Sequence, residues 1–459
     1  MGVYLYSSVV LMEILNNFAY NGAQTNKRQV VLQFPRTGWD KIDRVLKPFN
    51  MNTLTYLIFI LSYALIASRR LSLLPIGRPA GALFGAFLMV AVGTLTPEES
   101  YRAVDGNTIL LLFSTMALTV YLEDAGFFQW LATIILSACR RPVTLLWAVC
   151  LLSGFLSAFL VNDTVCIFLT PVVISLCTRA SLPLGPFLIA LATSANIGSA
   201  ATLVGNPQNM IIASFSHIPF PRFLMAAGPP ALIGLLVNAA LLWVFYRRRL
   251  PRQMSLQPPG PLSPQDRKRL QRVLPVMGGV IAGFFAGFHL GYTALGGVMV
   301  LVLLDRKDPR EIFARVDWAL LIFFCCLFMV IAGLAKTGIV ERSWEASAGY
   351  MSFSTGEGLA LFTSLMTVGS NLISNVPMVL LTGPHLGELG NSEMGWVLLA
   401  YITTVAGNLT LLGSVANIIV AERARNHYTL GFFEYLRFGL PSTLIVLGVG
   451  VALIYRMMA

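Results

Sequence analysis

The sequence predicts an all-α polytopic membrane protein of two inverted repeats, with about ten transmembrane helices, two re-entrant hairpins and two broken helices. Composition is the first ground. Of 459 residues, 56% are hydrophobic and 12% charged, and mean hydropathy is +0.73, which is too apolar for an ordinary soluble domain. The second is the run length: LTYLIFILSYALIA from Leu54 and ALIGLLVNAALLWVFY from Ala231 approach the roughly 20 residues that cross a bilayer. The third is self-similarity. PEESYRAVD, ending at Asp105, recurs as PREIFARVD, ending at Asp317, 212 residues later.

The repeat holds along the chain. The same offset pairs Gly85 with Gly297 and Gly126 with Gly338. FLVNDTVCIFLTP matches LISNVPMVLLTGP, pairing Asn162 with Asn375, and TLVGNPQNMII matches TLLGSVANIIV, pairing Gly205 with Gly413 and Asn209 with Asn417. Residues 1–50 fall outside the repeat and read as a polar, basic N-terminal extension, not native if translation starts at Met51. Met51 opens the first clear span, so translation starting there is an expectation that a terminal peptide map of natively expressed protein checks. The remaining chain divides into a first repeat at 51–246, a basic cytoplasmic linker at 247–273 and a second repeat at 274–459.

Lys and Arg mark cytoplasmic loops. The linker carries Arg247, Arg248, Arg249, Arg252, Arg267, Lys268, Arg269 and Arg272 against Asp266, and Arg69, Arg70, Arg140, Arg141 and Arg179 fit the same side. Counting spans at 51–68, 77–95, 107–122, 186–213, 223–246, 274–290, 292–304, 318–334, 396–420 and 438–455 puts the loop of Glu98, Glu99 and Asp105 outside. Its repeat mate, with Arg306, Lys307 and Asp317, falls inside, so the halves are antiparallel. Two apolar stretches, 142–178 and 357–385, must enter and leave on one side and read as re-entrant hairpins.

Inverted repeats with broken helices are how secondary transporters build one midplane site. From Pro142 to Thr178 the one charged residue is Asp163, flanked by Asn162 and Thr164. An acid at membrane depth must pair, titrate or bind a cation; the competing reading is a half-helix cap wet by cytosol. The mate tip has Ser374 and Asn375, with Val376 in place of the acid. Gly198, Gly205 and Pro207 disfavour continuous helix across ANIGSAATLVGNPQN, and AGNLTLLGSVAN is its mate. Unwound backbone there, with Asn196, Thr202, Asn206, Asn209, Asn408, Thr410, Ser414 and Asn417, would cradle a ligand; each residue taken singly reads equally as a helix-packing contact.

Other chemistry is thin. Cys139, Cys150, Cys166, Cys177, Cys325 and Cys326 lack CxxC spacing and read as helix filler. His217, His289, His385 and His427 form no ligand cluster, and Glu123 and Asp124 read as solvated interface. There is no HExxH, paired-Asp or GxS-with-histidine pattern at membrane depth, so an enzyme is not expected. No GxxxxGK[ST] loop appears either, so ATP-driven export would need a separate ATPase partner. The net charge of +11 sits in short loops and does not point to nucleic acid.

At VNDTVCIFLTPVVI and NIGSAATLVGNPQNMII the chain resembles the ion transporter superfamily, which includes arsenite permeases, sodium/proton antiporters of the same fold and divalent anion/sodium symporters. Its Asn-Asp tip and Gly-Asn-Pro-x-Asn segment are similar to the arsenite permease branch; the symporter branch has Ser-Asn-Thr at both tips where this chain has NDT and SNV. The resemblance covers nearly everything after Met51. It implies a transport domain moving in elevator fashion against a scaffold, a homodimer, and a multi-pass protein of the cell (inner) membrane. It implies a site lined by Asn162, Asp163, Thr164, Asn196, Gly205, Asn206, Asn209, Ser374, Asn375, Asn408, Thr410 and Asn417. The expected function is secondary active transport of a small inorganic anion or metalloid oxyanion, arsenite-like and proton-coupled through Asp163. Alternatives are a sodium-coupled di/tricarboxylate or sulfate symporter and a sodium/proton antiporter. No cofactor or metal is expected beyond H+ or Na+ as coupling ion.

Overall fold

The computed structural model describes residues 50–68, 77–254, 263–306 and 308–458. The expected extension at 1–50 lies outside these residues apart from Asn50, as do Arg69, Arg70, Lys307 and residues 255–262 of the linker. Every regular element among the described residues is helical. The first half holds α1 (Met51–Ser68), α2 (Arg78–Ala91), α3 (Pro97–Ala103), α4 (Gly106–Asp124), α5 (Phe127–Ala138), α6 (Pro142–Phe159), α7 (Asn162–Arg179), α8 (Leu184–Ser199), α9 (Pro207–Ser216) and α10 (Phe220–Tyr246). The second holds α11 (Pro264–Phe285), α12 (Leu290–Asp305), α13 (Arg310–Phe313), α14 (Trp318–Ala335), α15 (Ile339–Ala348), α16 (Gly356–Ile373), α17 (Asn375–Thr382) with a 3-10 turn (Gly383–Leu389), α18 (Ser392–Ala406), α19 (Val415–Ala424) and α20 (Phe432–Met458). The order of elements therefore recurs from one half to the other.

Five of these helices, α4, α6, α10, α14 and α20, are long and apolar enough to cross a membrane. Large apolar side chains are left on the outside of several helices, among them Phe87, Met225, Leu303 and Leu372. A soluble fold would have to cover such a surface, whereas lipid solvates it. The chain is thus a multi-pass membrane protein.

Local chemistry explains the matching boundaries. Asp105 and Asp317 each cap the following helix, accepting from the backbone N–H of Thr108 (3.1 Å) and Leu320 (3.0 Å). Gly126 and Gly338 sit at φ 73° and 70°, in the left-handed region open to glycine, and turn the chain into α5 and α15. Those two helices, and short α3 and α13, were not anticipated from hydropathy, being too short to carry a span signal. The expected spans 186–213 and 396–420 each resolve into two helices, α8 with α9 and α18 with α19. The expected span 77–95 ends as helix at Ala91, and the short span at 292–304 is a sixteen-residue helix, Leu290–Asp305.

Packing partners sort the helices into two bodies. An outer set pairs α1 with α2, α2 with α14, α4 with α12 and α11 with α12. An inner set gathers α6 to α10 and α16 to α20 around α8 and α18, the two most buried helices. At the contact of α6 and α8, a Cβ on Gly198 would collide with the Gly154 backbone, so the two backbones touch.

Ion pairs tie the segments before α4 and α14 to the ends of α14 and α4, where the mates Lys336 and Asp124 carry opposite charge. Glu99, before α4, bonds Lys336 at the end of α14 (2.7 Å). Arg315, before α14, pairs with Glu123 and with Asp124 at the end of α4 (3.4 Å), and Arg269 adds a bond to Asp124 (3.0 Å). Glu123 and Asp124 are therefore paired, beyond the solvated role read from sequence. Lys336 and the Thr96 N–H hold the exposed Glu99 carboxyl below its usual value of 4.5. A folded-state value below the unfolded one contributes stability above the unfolded value, lost as pH falls through the folded one. We expect Lys336→Met to lower thermal stability slightly at pH 7, and the difference from wild type to shrink as pH falls below 4.5; a difference undiminished in acid would show that Lys336 acts through packing.

Candidate functional site

Both interrupted helices break at the centre of the inner body. Residues 185–199 of α8 are buried, so this helix offers no face to lipid or water. It ends at Ala200, and the chain restarts at Asn206, whose side chain accepts from the Asn209 N–H (2.9 Å), with Pro207 at the first helical position. Gly205 fits between: a Cβ there would meet the backbone oxygens of Ser199 and Ser157. The second break runs from Gly407 to Ser414, and a Cβ on Gly413 would come within 2.7 Å of Asn371 Oδ1.

The two breaks are held by the same bonds. Asn209 Nδ2 donates to the carbonyls of Ser199 (3.3 Å) and Thr202 (2.8 Å); its mate Asn417 donates to those of Gly407 (2.8 Å) and Thr410 (3.1 Å). All four acceptors are carbonyls released where the helices unwind, so each asparagine satisfies backbone that the break exposes. Thr202 adds a hydroxyl bond to the Ala158 carbonyl in the first hairpin.

Asn196 joins the pieces. Its Oδ1 accepts from Asn162 Nδ2 (3.0 Å) and Ser414 Oγ (3.1 Å), and its Nδ2 donates to Asn408 Oδ1 (2.8 Å) and Asn417 Oδ1 (3.0 Å). Four bonds exhaust what one amide offers. They link the first hairpin tip, the first break and both sides of the second break. Asn408 passes the connection back through a bond to the Thr193 carbonyl (2.9 Å). The repeat mate of Asn196 is Thr404, whose Oγ1 accepts from Asn206 Nδ2 (3.3 Å) and Gln208 Nε2 (3.1 Å). Here the polar crossing is kept with different residue types.

The hairpin tips differ. At α6–α7 the Asn162 N–H donates to the Gly205 carbonyl (2.9 Å), which docks the tip on the first break. Asp163 follows in the first turn of α7, 5% exposed, with its own N–H bonded to Asn162 Oδ1 (2.9 Å) and no hydrogen-bond partner for its carboxylate among the described residues. Thr164 is buried beside it. At α16–α17, Ser370 donates to Asn375 Oδ1 (2.6 Å), and Ser374 adopts φ 80°, ψ 159°, a conformation that strains a residue with a Cβ.

Of the expected residues, Asn162, Asn196, Asn408, Ser414 and Asn417 form one connected cluster, with Asn206, Asn209, Thr202 and Gly205 supporting the first break. Asn375 lies at its edge, near Gly407. Ser374, Thr410 and Thr164 make no side-chain bond to the cluster, although the Thr410 carbonyl does. Thr193, Ser199, Thr404, Gln208, Ser370 and Asn371 were missed; the signal available was the repeat, since Thr404 is the mate of Asn196. Among the described residues, the buried Asn209 Oδ1 and Asn371 Oδ1 accept no bond, and no group of three or more His, Cys, Asp or Glu is placed to hold a metal ion.

Many apolar helices around a buried polar centre are the architecture of a membrane transporter. Sequence comparison gives the family: residues 56–406 match the model of CitMHS, described as citrate transporter. A Dictyostelium discoideum protein that carries the name transporter arsB is 31% identical, over 90% of this chain and 93% of its own length. The silicon efflux transporter LSI3 of Oryza sativa subsp. japonica is 34% identical, over 83% and 93%. A 46 kDa membrane protein of Mycobacterium leprae (strain TN) is 31% identical, over 86% and 96%. The chain belongs to the citrate transporter family, within the ion transporter superfamily and close to its arsenite permease-like branch.

Asn196→Ala orphans four buried partners at once. It is expected to lower stability by about 2–4 kcal/mol, read as a drop in unfolding temperature in detergent. Asn408→Ala, which removes one bond to Asn196, should cost less; equal losses would remove Asn196 from the centre of the network.

Proposed function

We propose that this chain is a secondary active transporter exchanging a small metalloid hydroxide or oxyanion, arsenite-like or silicic-acid-like, for protons. Asp163 is the coupling carboxylate. The observation that carries this reading is the chemistry of the centre: amides, hydroxyls and freed carbonyls around both breaks, no Lys or Arg among them, and one buried carboxylate at the adjoining tip. Amides and hydroxyls both donate and accept, which suits a compact solute bearing several O–H groups, and the unused Asn209 Oδ1 and Asn371 Oδ1 are acceptors for such donors. The names of the rice and Dictyostelium relatives point the same way.

The family description favours a second reading, a sodium-coupled di- or tricarboxylate symporter. Several carboxylates in a dry site call for cationic partners or bound cations, and the cluster supplies no cationic side chain. A sulfate symporter meets the same objection, and a plain sodium/proton antiporter leaves the duplicated amide cluster without a solute.

In this reading the halves are inverted repeats at 51–246 and 274–459, α6–α7 and α16–α17 are re-entrant hairpins entering from opposite sides, and the inner body moves against the outer one as an elevator. Support comes from the recurring element order, the matched bonds at both breaks, and the basic residues that orient the halves oppositely. A homodimer in the cell membrane completes the proposal.

The test is reconstitution into liposomes with an imposed pH gradient, offering arsenite, silicic acid or citrate, each with and without sodium. Arsenite or silicic acid should move with the pH gradient and without sodium, and Asp163→Asn should bring that driven flux to background while the protein remains folded. Citrate flux that needs sodium and ignores pH would replace this reading with the second.

A further inference from the structure

The two hairpins are repeat mates, yet their flanks are filled differently. Along the first, Phe128 of α5 stacks on Phe168 of α7, ring centres 5.3 Å apart. On its other side α6 lies against α10, where a Cβ on Gly154 would meet the Leu235 side chain at 2.6 Å. The offsets that pair Gly126 with Gly338, Asn162 with Asn375 and Pro229 with Pro441 make Val340, Leu381, Thr367 and Leu447 the mates of these four residues. In the second half the mates line cavities. Val340 and Leu381 line one of about 770 Å³, walled by α1, α15, α16 and α17, and Thr367 and Leu447 line another of about 770 Å³ between α16 and α20.

Residue type fixes this difference. Val and Leu leave space that a stacked Phe pair fills, and Gly154 lets Leu235 rest on the α6 backbone where Thr367 interposes a branched side chain. The attachments of the tips differ in the same sense. The Asn162 N–H bonds the Gly205 carbonyl (2.9 Å), and Asn162 Nδ2 bonds Asn196 (3.0 Å). Among the described residues, no backbone bond joins the second tip to the second break. The second hairpin is held one turn below its tip, where Ser370 Oγ faces the Thr403 carbonyl (3.3 Å) and Asn371 Nδ2 donates to the Ala406 carbonyl (3.0 Å), both in the last turn of α18. The single Ser370 hydroxyl proton is shared with Asn375 Oδ1 (2.6 Å), so this attachment is weaker than two bonds. Ser374 then links α16 to α17 at φ 80°, a strained joint.

We infer that α16–α17 is the gate of the solute cluster, that α6–α7 is its fixed wall, and that Ser370 and Asn371 are positioning residues that latch the gate to α18. This rests on the reading of the amide cluster as the solute site. The gate opens when the latch bonds break and α16 moves into its flanking cavities. That motion uncovers the break from Gly407 to Ser414, beside which Asn375 lies, and with it Asn408 and Asn417. The solute then enters and leaves on the membrane side of Lys336 and Glu393, where α16 starts and α17 ends.

The test reads opening without solute. Ser374→Cys and its mate at the first tip, Val161→Cys, are placed singly in the full chain, in liposomes of known orientation, and exposed to a membrane-impermeant maleimide; wild type supplies the blank. Ser374→Cys should label from the side of Lys336 at least about tenfold faster than Val161→Cys labels from either side. Importing the aromatic stack, with Val340→Phe and Leu381→Phe together, should slow Ser374→Cys labelling by about tenfold, and Asn371→Ala should speed it. The reverse exchange, Phe128→Val with Phe168→Leu, should speed labelling of Val161→Cys. Equal labelling of the two tips overturns the inference. So does Ser374→Cys labelling that responds neither to the imported Phe pair nor to Asn371→Ala. Because no solute is present, these outcomes are separate from the solute reading, which fails instead if neither arsenite nor silicic acid moves in the wild-type liposomes.

Discussion

Everything at the centre of this protein depends on keeping polar backbone satisfied where two helices are interrupted inside an apolar body. Water is not available there to repair an exposed carbonyl, so an interruption survives when side chains replace the lost helical bonds. Asn209 and Asn417 do that for their own breaks, each bridging two carbonyls. Asn196 then fastens the repaired breaks to one another and to the first hairpin tip. Without this stitching, the carbonyls freed where α8 and α18 end would lie unpaired inside the body.

Much of this was legible in the residues. Spans, hairpins and breaks follow from apolar runs interrupted by Gly, Pro and Asn, and the repeat doubled each signal. The cluster was legible as a set of residue types, because Asn and Thr at membrane depth must find partners. What remained hidden was connectivity. Nothing local distinguishes Asn196, with four bonds, from Thr164, with none to the cluster. Thr404 looked like ordinary helix content, since a threonine's hydroxyl can also bond its own helix. Helices α5 and α15 escaped because a short amphipathic segment following a left-handed glycine carries no span-length signal. Glu123 and Asp124 were read as solvated because their partners, Arg269 and Arg315, lie far along the chain.

The duplication shows which features backbone geometry demands and which are free to differ. Caps at Asp105 and Asp317, glycines at 126 and 338, and asparagines at 209 and 417 are the same residue in both halves because each meets a local requirement that few residue types meet. Charge is where the copies diverge: Asp163 against Val376, Arg78 against Leu290, Asp124 against Lys336. The two halves thus share a backbone plan that carries different charges at matched places.

The crossing of α6 and α8 at Gly154 and Gly198 sets how that framework can deform. Most helix pairs are separated by side chains, which can change rotamer and let one helix slide past the other. Here backbone rests on backbone, leaving no layer to act as a lubricant. The first hairpin arm and the helix bearing Asn196 are therefore geared together, and a displacement of the tip is delivered to the amide network undiminished.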